Sequence, residues 1–378
     1  MNILICCEFF YPSVGGAQKV ALELSKNFIS KGHKVTIATS KFNNKLPKCQ
    51  IFKKIKIQRF KVNGNYKKGI SGEYVNYQNF LKDKKFDVVL FYAAQQWTFD
   101  AALPILNQIK SNLYFAPCGF SGLKKIGYKN YYKYVVNKIK PIKKNIVHSL
   151  NYIDVNFLKK HNIKNNMLIP NAADNDFVKV NNLNFFKVNK IRKAQKNILN
   201  ISNYKFNKGQ DLSILIFFLL NFKREINLIF IGEKFNSKIY FFYLFSLKII
   251  TEFFFKNKKI YLLENLHRKK ILSAFFNHDV FLFTSRLECS PLVLFESAAA
   301  GLPFISLNSG NSMEIAKWTK AGIVSSNIYE ASRKLSFFLK NDKYCSLLSK
   351  NGKNNYRKKF NWKKISNKYL SVFKKKYL

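Results

Sequence analysis

Acidic residues are what this chain has least of. Its 378 residues hold 20 Asp and Glu against 66 Lys and Arg, a formal net charge of +46. Such an excess favours polyanions as partners: nucleic acid, anionic lipid head groups or nucleotide phosphates. Part of it is compositional, because Lys, Asn, Ile and Phe are abundant throughout, as in an A+T-rich genome, and the positive charge is spread along the chain. Cysteine is sparse and unpatterned. Cys6, Cys7, Cys49, Cys118, Cys289 and Cys345 show no C-x-x-C spacing, which argues against structural zinc and for a reducing compartment. A clean run of about 20 apolar residues, the length of a membrane-spanning helix, is also missing. The most apolar stretch, Tyr240–Phe255, contains Lys248 and Glu252. It reads as a buried helix, with an in-plane membrane element as the alternative. Residues 1–7 form a short apolar strand that Glu8 ends, well short of a secretory signal. The expected location is cytoplasmic, peripheral on the inner face of the plasma membrane.

What is present is a regular alternation. The length suggests two or three domains at about 150 residues each, and 47% hydrophobic content is ample for packed cores. Asn2–Cys7 reads as a buried strand, followed by a loop through Pro12 to Gly16. Ala17–Lys31 then reads as a helix with Val20, Leu24 and Phe28 on one face. Gly32 stops it, and Lys34–Thr39 is the next strand. Phe86–Tyr92, Asn112–Ala116, Asn145–Ser149 and Met167–Asn171 continue the series. The grammar restarts with strands at Asn197–Ser202, Asn227–Gly232, Lys259–Leu263, Asp279–Thr284 and Pro303–Leu307, separated by helical segments. Ile328–Leu378 reads as largely helical. The pattern predicts α/β architecture, two doubly wound parallel sheets in tandem. The first domain is placed at 1–172, a linker at 173–195 where periodicity is lost, the second domain at 196–355, and at 356–378 a C-terminal helix packing back on the first domain.

Several strings carry chemistry. Glu288 and Glu296 stand eight residues apart in Ser285-Arg-Leu-Glu-Cys-Ser-Pro-Leu-Val-Leu-Phe-Glu-Ser-Ala-Ala-Ala-Gly-Leu-Pro303. Pro291 suits the first turn of a helix, so Glu288 falls in the loop before it and Glu296 within it. Two carboxylates so placed can hold the hydroxyls of two sugar rings. Phe10-Tyr-Pro-Ser-Val-Gly-Gly-Ala-Gln18 puts Gly15 and Gly16 at the mouth of the first helix, where free N–H groups and positive potential suit a phosphate. It is not G-x-G-x-x-G, and no acid ends the second strand, which excludes an NAD-dependent dehydrogenase. Ile201-Ser-Asn-Tyr-Lys-Phe-Asn-Lys-Gly209 offers Lys205 and Lys208. Asp174-Asn-Asp176 spells D-x-D, but it lies at the end of a domain and reads as hinge.

In this order the strings resemble retaining glycosyltransferases of the GT-B type, family 4. That resemblance implies two Rossmann-like domains facing a cleft. It implies that Glu288 contacts the donor sugar and Glu296 the ribose of the nucleotide. Lys208 matches the lysine of a diphosphate-gripping pair. Its arginine partner falls on Asn203, with Lys205 near enough to supply the charge. Gly232 matches a nucleotide-facing glycine, and Ser290 and Leu292 of the two-glutamate string join the donor site. Ser309-Gly-Asn-Ser-Met-Glu314 resembles a phosphate-facing Gly-Gly-x-x-Glu loop, with Asn311 after Gly310 in place of the second glycine. Ile169-Pro-Asn-Ala-Ala-Asp174 resembles the family hinge. Gly15, Gly16, Gln18, Trp97 and Cys118 are assigned to the acceptor and phosphate loops. No metal and no cofactor is implied, because fixed cations can stabilise the leaving diphosphate.

The acceptor region, from 40 to 165, is where the resemblance is thin. Cys118 stands where relatives often have His, and none of His33, His148, His161, His267 and His278 fills an acid–base role. A retaining transfer in which the leaving phosphate takes the acceptor proton, as is thought for the family, needs no protein base. Gly127–Lys144 interleaves Tyr with Lys, which suits a lipid head-group interface or, equally, a plain solvated helix. The expected partners are therefore a nucleotide sugar, a glycan or polyprenyl-linked acceptor and an anionic membrane surface, with no nucleic acid. The rival readings are another sugar-nucleotide enzyme on the same fold, and a non-catalytic polyanion-binding protein.

Overall fold

The structure is a computed structural model that describes residues 1–123, 125, 127–179 and 183–375. It divides into two compact units, Met1–Asn171 with Trp362–Leu378, and Ala172–Asn361.

The first unit is built on ten strands: β1 (Asn2–Cys6), β2 (Lys34–Ser40), β3 (Cys49–Phe52), β4 (Ile55–Phe60), β5 (Val62–Asn65), β6 (Gly69–Gly72), β7 (Val88–Tyr92), β8 (Asn112–Ala116), β9 (Lys144–Val147) and β10 (Asn166–Leu168). Eight of them form one sheet in the order β10-β9-β8-β7-β1-β2-β4-β3. Its pairs are parallel except β3 with β4. Strands covered on both faces read as unbroken apolar runs, and Ile3, Leu4, Ile5 and Cys6 are fully buried. The helix Gly16–Ile29 lays Val20, Leu24 and Phe28 on the sheet, one turn apart. β5 and β6 form a separate hairpin. Gly64 and Gly72 take φ of 83° and 89° there, and a Cβ on them would strike the backbone carbonyls of Gly69 and Lys61 respectively.

The last helix, Trp362–Lys374, belongs to this unit. Its buried residues Trp362, Ile365, Tyr369 and Phe373 follow helical spacing. Phe373 meets Phe28 at 5.9 Å and Tyr114 at 4.7 Å between ring centroids.

The second unit carries β11 (Lys196–Ile201), β12 (Ile226–Gly232), β13 (Lys258–Glu264), β14 (Val280–Phe283), β15 (Phe304–Leu307) and β16 (Gly322–Ser325) in an all-parallel sheet ordered β13-β12-β11-β14-β15-β16. Strand order reverses between β11 and β14, the switch point of a doubly wound sheet. Residues 173–179 and 183–195 are part of this unit's packing rather than a free linker. Phe177, Phe185, Phe186 and Ile191 are buried in its core, and these four apolar side chains hold a segment whose Asn, Asp and Lys content masks them. The remaining linker positions, 180–182, lie outside the described residues.

Two helices reverse their expected roles. The apolar stretch forms the helix Lys238–Phe254, in which only Tyr240, Leu244 and Thr251 are buried. It is apolar on every side, so periodicity could not say how little of it faces inward. The Tyr/Lys stretch forms the helix Lys129–Lys138, which buries Tyr131, Tyr132 and Val135. Its rings therefore lie in the first unit's core instead of presenting a lipid-facing surface. Among the described residues no helix is long and apolar enough to cross a membrane.

Candidate functional site

In an open parallel sheet, ligands bind beyond the carboxyl ends of the strands at the switch point. In the second unit the loops after β11 and β14 meet there. The loop after β11 ends at Gly209, in the left-handed region with φ 67°, and a Cβ there would strike the carbonyl of Thr284. Glycine thus lets the two loops lie against each other. Thr284 Oγ1 donates to the carbonyl of Gly209 at 2.6 Å and Arg286 N–H to that of Asn207 at 2.8 Å.

This contact brings together two residues 80 positions apart. Lys208 Nζ lies 2.6 Å from Glu288 Oε1, with side chains 27% and 16% exposed. Ser285 Oγ donates to the same carboxylate oxygen at 2.9 Å. The loop after β15 closes on the other side. Gly310 has φ 59°, and a Cβ would meet the Cys289 carbonyl at 2.6 Å and Glu288 Cβ at 3.0 Å. Asn311 N–H donates to the Cys289 carbonyl at 2.9 Å. At the end of β12, Gly232 lies so close to the loop after β11 that a Cβ would meet the Ser202 carbonyl at 2.7 Å. Lys208, Glu288, Gly232, Gly310 and Asn311 therefore belong to one set of touching loops. Glu288 heads toward the helix Leu292–Ala300 and Asn311 caps the helix Ser312–Thr319. Both helix N-termini carry positive potential suited to an anion.

The other residues that the resemblance assigns to the donor site are less tightly joined. Ser290 and Leu292 flank Pro291, the N-cap of its helix, and Glu296 is the fifth helical residue; all three are half-buried. Lys205 is exposed on the loop that holds Lys208. Asn203, at the arginine position of the resemblance, donates to Glu233 at 3.1 Å. Arg286 was not singled out by sequence, yet it fastens the site. It holds Asp211 through two hydrogen bonds of 2.8 and 2.6 Å and lies over the Phe206 ring at 4.1 Å. The signal was present in the paired positions, an Arg in the glutamate string and an Asp just after Gly209. Asp174 lies 2.9 Å and Asp176 4.0 Å from Arg268, so the D-x-D carboxylates face a guanidinium.

In the first unit Gly15 caps the helix Gly16–Ile29 in extended conformation, and a Cβ there would meet Gln18 Oε1 at 2.7 Å. Gln18 Nε2 donates to Ser13 Oγ at 3.2 Å, so Gly15, Gly16 and Gln18 share one turn. Trp97 lies elsewhere: it is 1% exposed, and its indole N–H donates to Ser40 Oγ at 2.6 Å. The loop after β7 turns back through Ala93 and Gln95 at φ 73° and 62°, which tucks Trp97 into the core between Phe60 and Tyr77.

Cys118, after β8, sits at the carboxyl ends of β7, β8 and β9 with His148, which sequence passed over. His148 Nδ1 lies 2.8 Å from the Ile169 carbonyl, so that nitrogen carries the proton and Nε2 accepts. Tyr92 OH lies 3.4 Å from Nε2 and faces it as donor, while Cys118 Sγ, 3.9 Å from the same nitrogen, donates to the Ala116 carbonyl at 3.4 Å. Burial pushes the histidine down and the Cys118 thiol up to about 12, leaving a neutral cluster. Two carboxyls of this unit are pushed above the usual carboxylate range. Burial raises Glu8 to about 7, helped by Asp100, and raises Asp100 to about 6 against hydrogen bonds from Tyr66 and Tyr131.

A half-buried carboxylate on a lysine, ringed by close-packed glycine loops and two helix N-termini, stands at the switch point, where doubly wound α/β domains bind their ligands. Residues 181–355 match the family described as Glycosyl transferases group 1. Sucrose-phosphate synthase from Thermosynechococcus elongatus superposes with a TM-score of 0.80 at 13% identity, over 98% of each chain. HepE from Anabaena, in complex with UDP-glucose, gives 0.74 at 12% identity over 98% of this chain and 99% of its own. WaaG, a glycosyltransferase involved in lipopolysaccharide biosynthesis, gives 0.70 at 16% identity over 99% and 100%. No match is found among curated protein sequences. Residues 181–355 thus match the group 1 glycosyl transferases, and the chain as a whole has the GT-B fold of these structures.

Proposed function

We propose that the protein is a retaining glycosyltransferase. It moves a sugar from a nucleotide diphosphate sugar to a hydroxyl of a glycan or polyprenyl-linked acceptor, in cell-surface polysaccharide or lipopolysaccharide synthesis at an anionic membrane face. The observation that carries this reading is the Lys208–Glu288 pair at the switch point. Until a donor enters, the carboxylate neutralises the lysine. When a donor enters, its diphosphate takes Lys208 as counter-charge, with Lys205 and the helix N-termini beside it, and Glu288 turns to the sugar hydroxyls. Cations fixed before the reaction stabilise the charge that develops on the leaving diphosphate, so no metal is required. Glu296 holds the ribose. That HepE binds UDP-glucose supports a nucleotide sugar as donor, and the role of WaaG in lipopolysaccharide biosynthesis supports a cell-surface acceptor.

The test is a panel of nucleotide sugars read by thermal shift and by donor consumption, with and without EDTA. A ligand at 100 times its Kd should stabilise by about 2.7 kcal/mol. One donor should be both stabilising and slowly consumed in EDTA. Loss of activity in EDTA with rescue by Mg²⁺ or Mn²⁺ would overturn metal independence. Stabilisation by polyanions of every kind, with no donor consumed, would favour a non-catalytic binder.

A further inference from the structure

The helix Lys238–Phe254 has its apolar residues on the wrong side for a water-facing surface. The side toward the sheet is Tyr240, Leu244 and Thr251. The opposite side, at helical spacing, is Ile239, Phe242, Phe245, Ile249, Ile250 and Phe253, with Ile239 84% exposed, Phe242 62% and Phe253 70%. Phe242, Ile249 and Phe253 stand at i, i+7 and i+11 and form a single outward stripe. The face continues into a groove of 430 Å³ between this helix and the edge strand β13, lined in part by Phe241, Ile260 and Leu262. A contiguous apolar surface of this kind marks an interaction site.

Charge decides what covers it. Lys238 precedes the stripe, and Lys256 and Lys259 follow it, all exposed. The helix's single acid, Glu252, is turned to Lys248 at 2.9 Å and Lys259 at 3.9 Å. A second copy would bring another chain of net charge +46 against this end, and such self-repulsion opposes pairing. An anionic bilayer offers hydrocarbon to the stripe and phosphate to the lysines. The helix has 17 residues, too few to span, and helices of this make-up lie in the interface plane.

We propose that this helix of the second unit docks the protein on anionic membrane by inserting Phe242, Ile249 and Phe253 among the acyl chains. The purpose rests on the reading of a membrane-facing transferase; the contact does not, and it is measurable without catalysis. The experiment is sedimentation of the full chain with vesicles of phosphatidylcholine alone and of phosphatidylcholine with phosphatidylglycerol. Wild type should bind the anionic vesicles, and the triple change Phe242→Ser, Ile249→Ser, Phe253→Ser should lower the partition coefficient about a hundredfold. Its thermal shift with UDP-glucose, an inorganic diphosphate control alongside, should match wild type, so loss of docking is separated from loss of the donor site. Phe253→Trp should show a blue-shifted emission on the same vesicles. The proposal is overturned if the triple variant still sediments, if the Phe253→Trp emission does not move, or if wild type is a dimer that the triple change dissociates.

Discussion

The two units share one architecture and treat the same kinds of residue in opposite ways. The first closes in on itself. Its tyrosine-rich helix points Tyr131 and Tyr132 inward, Trp97 is sealed in the core, and Cys118, His148 and Tyr92 cluster at the carboxyl edge of the sheet. The second stays open. An ion pair stands half-exposed at its switch point, and a phenylalanine-rich helix turns its rings outward. Aromatic content alone does not tell a core from a docking surface. What separates the two helices is whether polar residues alternate with the rings, since only then does one face have a reason to turn in. The comparison predicts that changes in the first unit are felt as stability and changes in the second as function.

The largest effect expected is on stability. Trp97→Ala removes a buried ring packed on Phe60 and Tyr77 and should destabilise the first unit by about 3–5 kcal/mol, read as the denaturation midpoint. Trp97→Phe should recover most of this with unchanged KM for the acceptor. A large rise in acceptor KM at wild-type stability would instead return Trp97 to the acceptor surface and break the comparison.

Next comes the second unit's site. Glu288→Gln should cut turnover about a hundredfold, the effect of one lost charged partner in the transition state, with a modest change in nucleotide affinity and an unaltered melting point. Glu296→Gln should weaken nucleotide binding itself by about 1.5–3 kcal/mol. Steady-state kinetics and calorimetric titration with the nucleoside diphosphate separate the two. Wild-type transfer rates in both variants would show that the pair is structural.

Much of this was legible before any coordinates. The parallel strands named from sequence follow from short apolar runs, whereas β3 to β6, between Cys49 and Gly72, carry no such run. The loops at Gly209, Glu288 and Gly310 were legible because glycines and a Pro-started helix mark the turns from strand to helix. Three things were not. Arg286 and Asp211 lie 75 positions apart and meet only through the contact at Gly209. His148 stands beside Cys118 because β8 and β9 are neighbours, which no local pattern states. The orientation of Lys238–Phe254 was hidden because nearly every position is apolar, so helical periodicity had no contrast to read.

A smaller effect is expected where the first unit closes on its acids. Tyr131 OH donates to Asp100 Oδ1 at 2.7 Å and accepts from Gln95 N–H at 2.8 Å. Tyr131→Phe leaves both groups buried and should cost about 1–3 kcal/mol with no change in vesicle binding. Replacing the nearby Lys138, Lys140, Lys143 and Lys144 with Gln should move stability by less than about 0.5 kcal/mol and leave sedimentation with anionic vesicles near wild type. Loss of sedimentation in that quadruple variant would put the membrane contact back on the first unit.

The smallest effect is a slope. Glu8 is raised from 4.5 to about 7 and Asp100 from 3.8 to about 6. Both are acids whose folded form keeps a proton that the unfolded chain has already released. The unfolded state therefore binds fewer protons between these values, and stability falls as pH rises. The contribution is fully present below about pH 4 and is gone once pH passes the folded values near 6 and 7. Glu8→Gln removes one of the two protons from this account and relieves the repulsion on Asp100. The melting temperature of wild type minus that of Glu8→Gln should become more negative from pH 5 to pH 8, because only the wild type must ionise Glu8 in the folded state. Taking the difference cancels the repulsion among the lysines and the titration of the five histidines, which both proteins share. A difference that stayed flat across this range would mean that Glu8 is solvated and ordinary, and that the first unit's carboxyl edge is as open as the second's.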